Sequence, residues 1–173
     1  MATLDELVQR GALAIVAPLE DVGERKRWMY ATPRFQDFRD RRVHAIPSVW
    51  NPDIAACDQL EALIADYVWE EAIIVSRMFK NLRGDPQCIW EFKTPDLRIF
   101  GWFVRRNHFV ADEGWQADAT KESNLYAGFA NQTVHTRTTL DLDEPKHVTG
   151  DDPTYVLSNV RVENPRLPGR PRI

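Results

Sequence analysis

The sequence predicts an α+β fold in which a small twisted antiparallel sheet packs on helices, and three observations carry that prediction. Apolar residues recur at spacings of three and four through Leu60, Leu63, Ile64, Tyr67 and Val68, the stripe that an amphipathic helix buries. Residues 88–111 hold three short runs rich in β-branched and aromatic residues, cut by turn sequences, and read as an antiparallel meander. At the front, Thr3-Leu-Asp-Glu6 has the spacing of a capping box, in which hydroxyl and carboxylate satisfy free amides at a helix start.

In chain order, the capping box predicts a short helix to about Ala12. Ala14–Leu19 is apolar, Val22-Gly23 marks a turn, and Arg27–Thr32 reads as extended. Pro33 interrupts the periodicity and leaves an irregular or short helical piece with Phe35 and Phe38. Asn51 is expected to cap the next helix with Pro52 at its first position, where the missing N–H costs nothing. That helix loses definition at Ile73-Ile74-Val75, and Gly84-Asp85-Pro86 breaks the chain.

Strands are expected at Ile89–Phe92, Leu97–Val104 and His108–Ala111, joined by a Thr94-Pro95-Asp96 turn and a polar Arg105-Arg106-Asn107 tip, with Gly114 closing the set. In the middle strand Leu97, Ile99, Gly101 and Phe103 share one face, and Arg98, Phe100, Trp102 and Val104 the other. Both faces carry apolar bulk, so the strand should be central. Arg98 then needs an anionic partner, either a carboxylate such as Glu91 or a ligand, because a charge stranded inside costs several kcal/mol.

Thr120 to about Thr138 reads as a helix with Leu125, Phe129 and Val134 near one side; Asp141–Pro153 is an acidic loop, and Tyr155–Val162 adds a strand or lies along the surface. Residues 1–162 are expected to form one globular domain, with 1–50 an extension on a 51–140 core. The tail 163–173, with three prolines and a glycine from Pro165 onward, is expected to be a flexible arm or to order on a partner.

The 173 residues are 43% hydrophobic and 28% charged, the range of globular domains with an ordinary core. A net charge of −4 excludes a surface that grips nucleic acid everywhere. The charge is uneven: between Glu24 and His44, seven Lys and Arg stand against three acids, a local excess of four. That basic segment is solvated or contacts RNA, DNA or an acidic partner. The start carries acids where a leader needs basic residues, and no apolar run is long enough to span a bilayer, so a cytoplasmic protein without membrane contact is expected. Cys57 and Cys88 lack metal or disulfide spacing and are expected to be buried thiols; the four histidines are scattered. No nucleophile elbow or phosphate loop occurs, and no cofactor or metal is expected.

The stretch Trp90-Glu-Phe-Lys93, followed after a turn by Arg98-Ile-Phe100 and then His108-Phe-Val-Ala111, resembles the RelE/ParE/HigB toxin superfamily, particularly its phage-derived HigB-like branch. The likeness spans roughly 55–140. It implies a RelE-like sheet packed on helices and a metal-free endoribonuclease acting on messenger RNA at the ribosome, with an antitoxin as protein partner. In such chemistry a base activates the ribose 2′-hydroxyl, cations stabilise charge on phosphorus, and an acid protonates the leaving oxygen. The resemblance points to Arg98 and Lys93 for phosphate charge, to Lys121 or His108 for proton transfer, and to Tyr126 for stacking or proton donation. Arg25, Lys26, Arg27, Arg105 and Arg106, with Trp28 and Tyr30 beside them, are candidates for RNA or partner contact. The other expectation is a non-catalytic protein that engages a macromolecule through the basic segment and the Pro/Arg tail. The chain departs from the family in being acidic and longer at both ends.

Overall fold

A computed structural model describes residues 1–19, 23–84, 86–122 and 125–162, the side chains of 120–122 excepted. The capping box forms as its spacing predicts: the Glu6 amide donates to Thr3 Oγ1 at 3.3 Å and the Thr3 amide to Glu6 Oε2 at 2.8 Å. It opens α1 (Leu4–Gln9), which stops short of Ala12 because Gly11 turns the chain at a φ of +73°. The strands β1 (Ala14–Val16) and β2 (Trp28–Ala31) follow. Pro33 starts a helix rather than breaking one: Thr32 caps α2 (Pro33–Asp40) and the proline takes the first position. A 3-10 turn (Arg42–Ala45) comes next.

The helix α3 (Ala56–Val68) begins after Ala55 with no side-chain cap, so Asn51 and Pro52 do not open it. The reason lies in the turn that precedes Leu97. Asp96 accepts the amides of Val49 at 2.9 Å and Trp50 at 2.8 Å, and Gln59 of α3 donates to Asp96 at 2.7 Å. These bonds hold 49–54 as a loop against that turn. The remaining elements are β3 (Ile73–Val75), β4 (Phe79–Arg83), β5 (Ile89–Lys93), β6 (Leu97–Arg105), β7 (His108–Gln116), α4 (Ala117–Glu122), α5 (Tyr126–Thr139), α6 (Pro153–Val156) and β8 (Val160–Val162). The expected tail at 163–173 lies outside the described residues.

Among the described residues the sheet has eight strands in the order β1-β2-β7-β6-β5-β4-β3-β8 and is mixed, which corrects the expectation of a small antiparallel one. Strands β4 to β7 pair antiparallel with their sequence neighbours, whereas β2 lies parallel to β7, and β3 parallel to both β4 and β8. The β2–β7 pair is joined by a long crossover through α2, α3 and everything between them, and such pairing leaves no mark in a local window. Gly114 sits inside β7 rather than ending it.

Both faces of the sheet around β6 are buried, as the alternation in β6 predicts. One carries Trp90, Phe92, Ile99, Phe103 and Phe109 against Phe35 and Phe38 of α2 and Leu60, Ile64 and Tyr67 of α3. The other carries Tyr30, Ile89, Trp102 and Val110 against Leu4 and Leu7 of α1 and Ala130 of α5. The fully buried side chains of α5 are Ala130, Thr133 and Arg137, while Phe129 stacks on Phe100 at 5.0 Å and Val134 packs half-buried against the core. Cys88 is buried but Cys57 only half-buried, both as free thiols. Among the described residues no helix is long and apolar enough to cross a membrane.

Candidate functional site

The antiparallel register of β5 and β6 sets Lys93 directly opposite Arg98. The Arg98 side chain is buried, and its Nη1 donates to the carbonyls of Thr94 at 2.7 Å and Leu97 at 2.6 Å. Its Nε lies 3.8 Å from Glu91 Oε1, so the carboxylate that the sequence offered as a partner is the near one. Glu91 is fully enclosed, with Lys80 Nζ at 3.6 Å. Burial pushes the Glu91 carboxyl up, against the pull of Lys80 and Arg98. Lys93 donates to the Ser76 carbonyl. Tyr126 meets the edge of Phe100 at 5.9 Å and carries the Lys80 ammonium over its ring at 5.2 Å, a packing position beside Glu91. Lys93 and Arg98 also line a cleft of about 630 Å³ next to α3, whose wall includes Asp66.

A second grouping lies at the opposite end of β6. The parallel register of β2 and β7 sets Trp28 opposite His108, and the imidazole stacks with Trp28 at 6.4 Å and Tyr30 at 6.3 Å. The Arg25 guanidinium covers the Trp28 ring at 4.7 Å. Across the tight turn, Arg105 Nη2 lies 3.0 Å from His108 Nε2 and the Arg106 carbonyl 2.9 Å from Nδ1. A guanidinium can only donate, so Nε2 accepts, Nδ1 carries the proton, and the ring is neutral. Burial pulls the His108 pKa below its ordinary value; Arg105 acts in the same direction, and the Arg106 carbonyl opposes it. Asn107 turns the chain at a φ of +64°, a conformation asparagine tolerates. The fold thus joins Arg25, Arg105, Arg106 and His108 with two aromatics. Trp28 is 36% exposed with Arg25 over its ring, whereas Tyr30 at 3% is enclosed.

These two groupings are separated by the seven steps of strand from Arg98 to Arg105, roughly 23 Å. His108 is therefore not assembled with Lys93 and Arg98, and it is held as a neutral stacked ring rather than as a proton-transfer group beside a phosphate. Lys121 lies on α4, and its side chain is among those outside the description.

The basic segment is largely neutralised from within. Arg39 makes two 2.7 Å hydrogen bonds to Glu61; Arg42 reaches Glu113 at 2.6 Å and Asp37 at 3.1 Å; Arg34 lies 3.5 Å from Asp112. Lys26 pairs with Glu24 at the surface. Arg27 is not a contact residue: it is fully enclosed and donates to the carbonyls of Tyr67, Glu71 and Ser158. The physical reason is the end of α3, whose last carbonyls have no helical partner and draw a guanidinium. In the acidic stretch, Asp141 holds the N-terminal amine at 3.0 Å and Arg10 at 3.2 Å.

Asp66 is the residue that sequence reading passed over. Burial and the charge of Glu71 push its carboxyl up. Its trace in the sequence is the α3 stripe Gln59, Ala62, Leu63 and Asp66, all of which line the cleft. Among the described residues no three His, Cys, Asp or Glu side chains converge on a metal position. No family model, curated protein or solved structure matches this chain.

Proposed function

We propose that this chain is a RelE/HigB-like protein that binds single-stranded RNA without cutting it, using Arg25, Trp28, Arg105 and Arg106. The observation that carries the reading is the Arg25–Trp28–His108 stack beside two exposed arginines. An accessible indole is a platform for a base, and guanidinium groups flanking it suit the phosphates on either side. A net charge of −4 is compatible with this only because the cations are gathered on one ledge. The kinship to RelE and HigB rests on Trp90-Glu-Phe-Lys93 and Arg98-Ile-Phe100 standing on adjacent strands.

The test is fluorescence anisotropy with a labelled single-stranded RNA and the full chain. Trp28→Ala is expected to weaken binding about tenfold, the loss of one stacked base. Three arginine–phosphate contacts give a slope of log K against log salt of roughly −2, and Arg105→Ala should reduce it by about 0.7. Affinity unchanged in Trp28→Ala sinks the reading. The toxin reading is tested alongside by inducing the chain in cells: translation arrest with RNA cleavage that Arg98→Ala abolishes would replace binding by catalysis in the Lys93–Arg98 cleft.

A further inference from the structure

We propose that the cleft between α3, the β3–β4 turn and the β5–β6 turn binds a small organic anion, a carboxylate or phosphate group carried on an apolar body. At about 630 Å³ it has the size of a small-molecule site. Among its described wall residues Arg77, Lys93 and Arg98 are cationic and one, Asp66, is a carboxylate; Glu91, 3.8 Å from Arg98 Nε, offsets part of that charge and still leaves the cations in excess. That imbalance selects an anion. The apolar share of the wall comes from Leu63, Ile74 and Met78. Beside the cleft, Val49, Trp50 and Ile54 are 55%, 63% and 44% exposed on the loop whose Asn51 and Ile54 form part of the wall. A ligand with an acidic head and a hydrocarbon body would cover that loop; a bare ion would leave it in water.

The site is built in advance. Arg98 is fixed through Nη1, and among the described residues its Nη2 takes no hydrogen bond. The walls are tied to one another: Thr94 donates to Gln59 Oε1 at 2.9 Å, Gln59 to Asp96 at 2.7 Å, and the Trp50 amide to Asp96 at 2.8 Å. Helix, turn and loop are therefore held in register before anything binds, which lowers the ordering cost of association. Burial keeps Asp66 more readily protonated than an ordinary aspartate, so it repels an anion less than its formal charge suggests. The cleft stands at the far end of β6 from the RNA ledge and does not depend on it.

Calorimetric titration of the full chain with octanoate, octyl phosphate and inorganic phosphate tests the assignment. Saturable binding of octanoate or octyl phosphate is expected, and whichever binds tighter identifies the head group. Inorganic phosphate should bind at least about tenfold more weakly for lack of an apolar body. Lys93→Met should weaken the octyl ligand about tenfold, the effect of one charge-assisted hydrogen bond. Ala62→Trp, a change at an exposed α3 position that fills the cleft and leaves every charge in place, should abolish binding while the unfolding transition stays that of the wild type. Failure of both octyl ligands to saturate, or equal binding to Ala62→Trp, overturns the proposal; RNA affinity is expected to be the same in both variants, which separates this site from the ledge.

Discussion

Arg27 and Arg105 stand on either side of the Trp28–His108 stack, and their surroundings give them opposite roles. Arg27 donates to the carbonyls of Tyr67, Glu71 and Ser158, and its removal takes a side-chain donor from all three at once. Arg27→Met is therefore expected to cost about 3 kcal/mol or more, read as a lower urea midpoint. Arg105 is exposed, so Arg105→Ala should stay within about 0.5 kcal/mol of wild type while RNA binding weakens. Glu91 gives a pH signature. Burial raises its folded-state pKa above the unfolded value, so the native state holds the extra proton between the two. Its stability contribution is complete below the unfolded pKa and is lost as pH rises through the folded one. Compared with Glu91→Gln across weakly acid to neutral pH, the wild type should lose urea resistance as pH rises; a constant difference would contradict the assignment. The need of Arg98 for a partner was legible in the sequence, because a charge on an apolar face cannot stand alone. That Arg27 is buried was not, because its acceptors come from segments some 40 and 131 residues away.

Strand β6 shows which elements local pattern can specify. Its alternation of apolar residues on two faces marks a central strand, and its neighbours β5 and β7 are joined to it by short turns. Strands β3 and β4 carried no such mark: β3 has three residues, and β4 reads Phe-Lys-Asn-Leu-Arg with mixed polarity on both faces. The β6–β7 pair also contains an irregularity, since Phe100 faces Glu113 but Gly101 faces Ala111, leaving Asp112 as an extra residue on β7. At Gly101 the partner backbone approaches so closely that a Cβ would collide with the Val110 carbonyl, a group that cannot rotate away. Gly101→Ala is expected to destabilise by about 2–3 kcal/mol, measured as a fall in the thermal midpoint. Gly114 is likewise closed to a side chain, there by the Phe38 ring from α2.

Taken whole, the molecule draws its sheet from far more of the chain than residues 51–140. The first fifty residues supply β1, β2 and α2, with Met29, Phe35 and Phe38 in the core against α3 and the sheet. A fragment 51–140 would expose the β7 edge and half of an apolar face, and is expected to show neither a cooperative thermal transition nor dispersed amide resonances, whereas residues 1–162 should show both. A cooperative fragment would show that the β2–β7 pairing is dispensable. The sequence by itself determined the α+β class, the capped first helix, the amphipathic third helix and the buried two-faced strand, because each is written in spacings of two, three or four residues. Only the tertiary structure decided which arginines face water, that Trp28 meets His108, and that Lys93, Arg98 and Asp66 share one cleft. Those facts depend on a parallel strand pair spanning 80 residues and on a helix packed beside a distant turn, and neither has a local period.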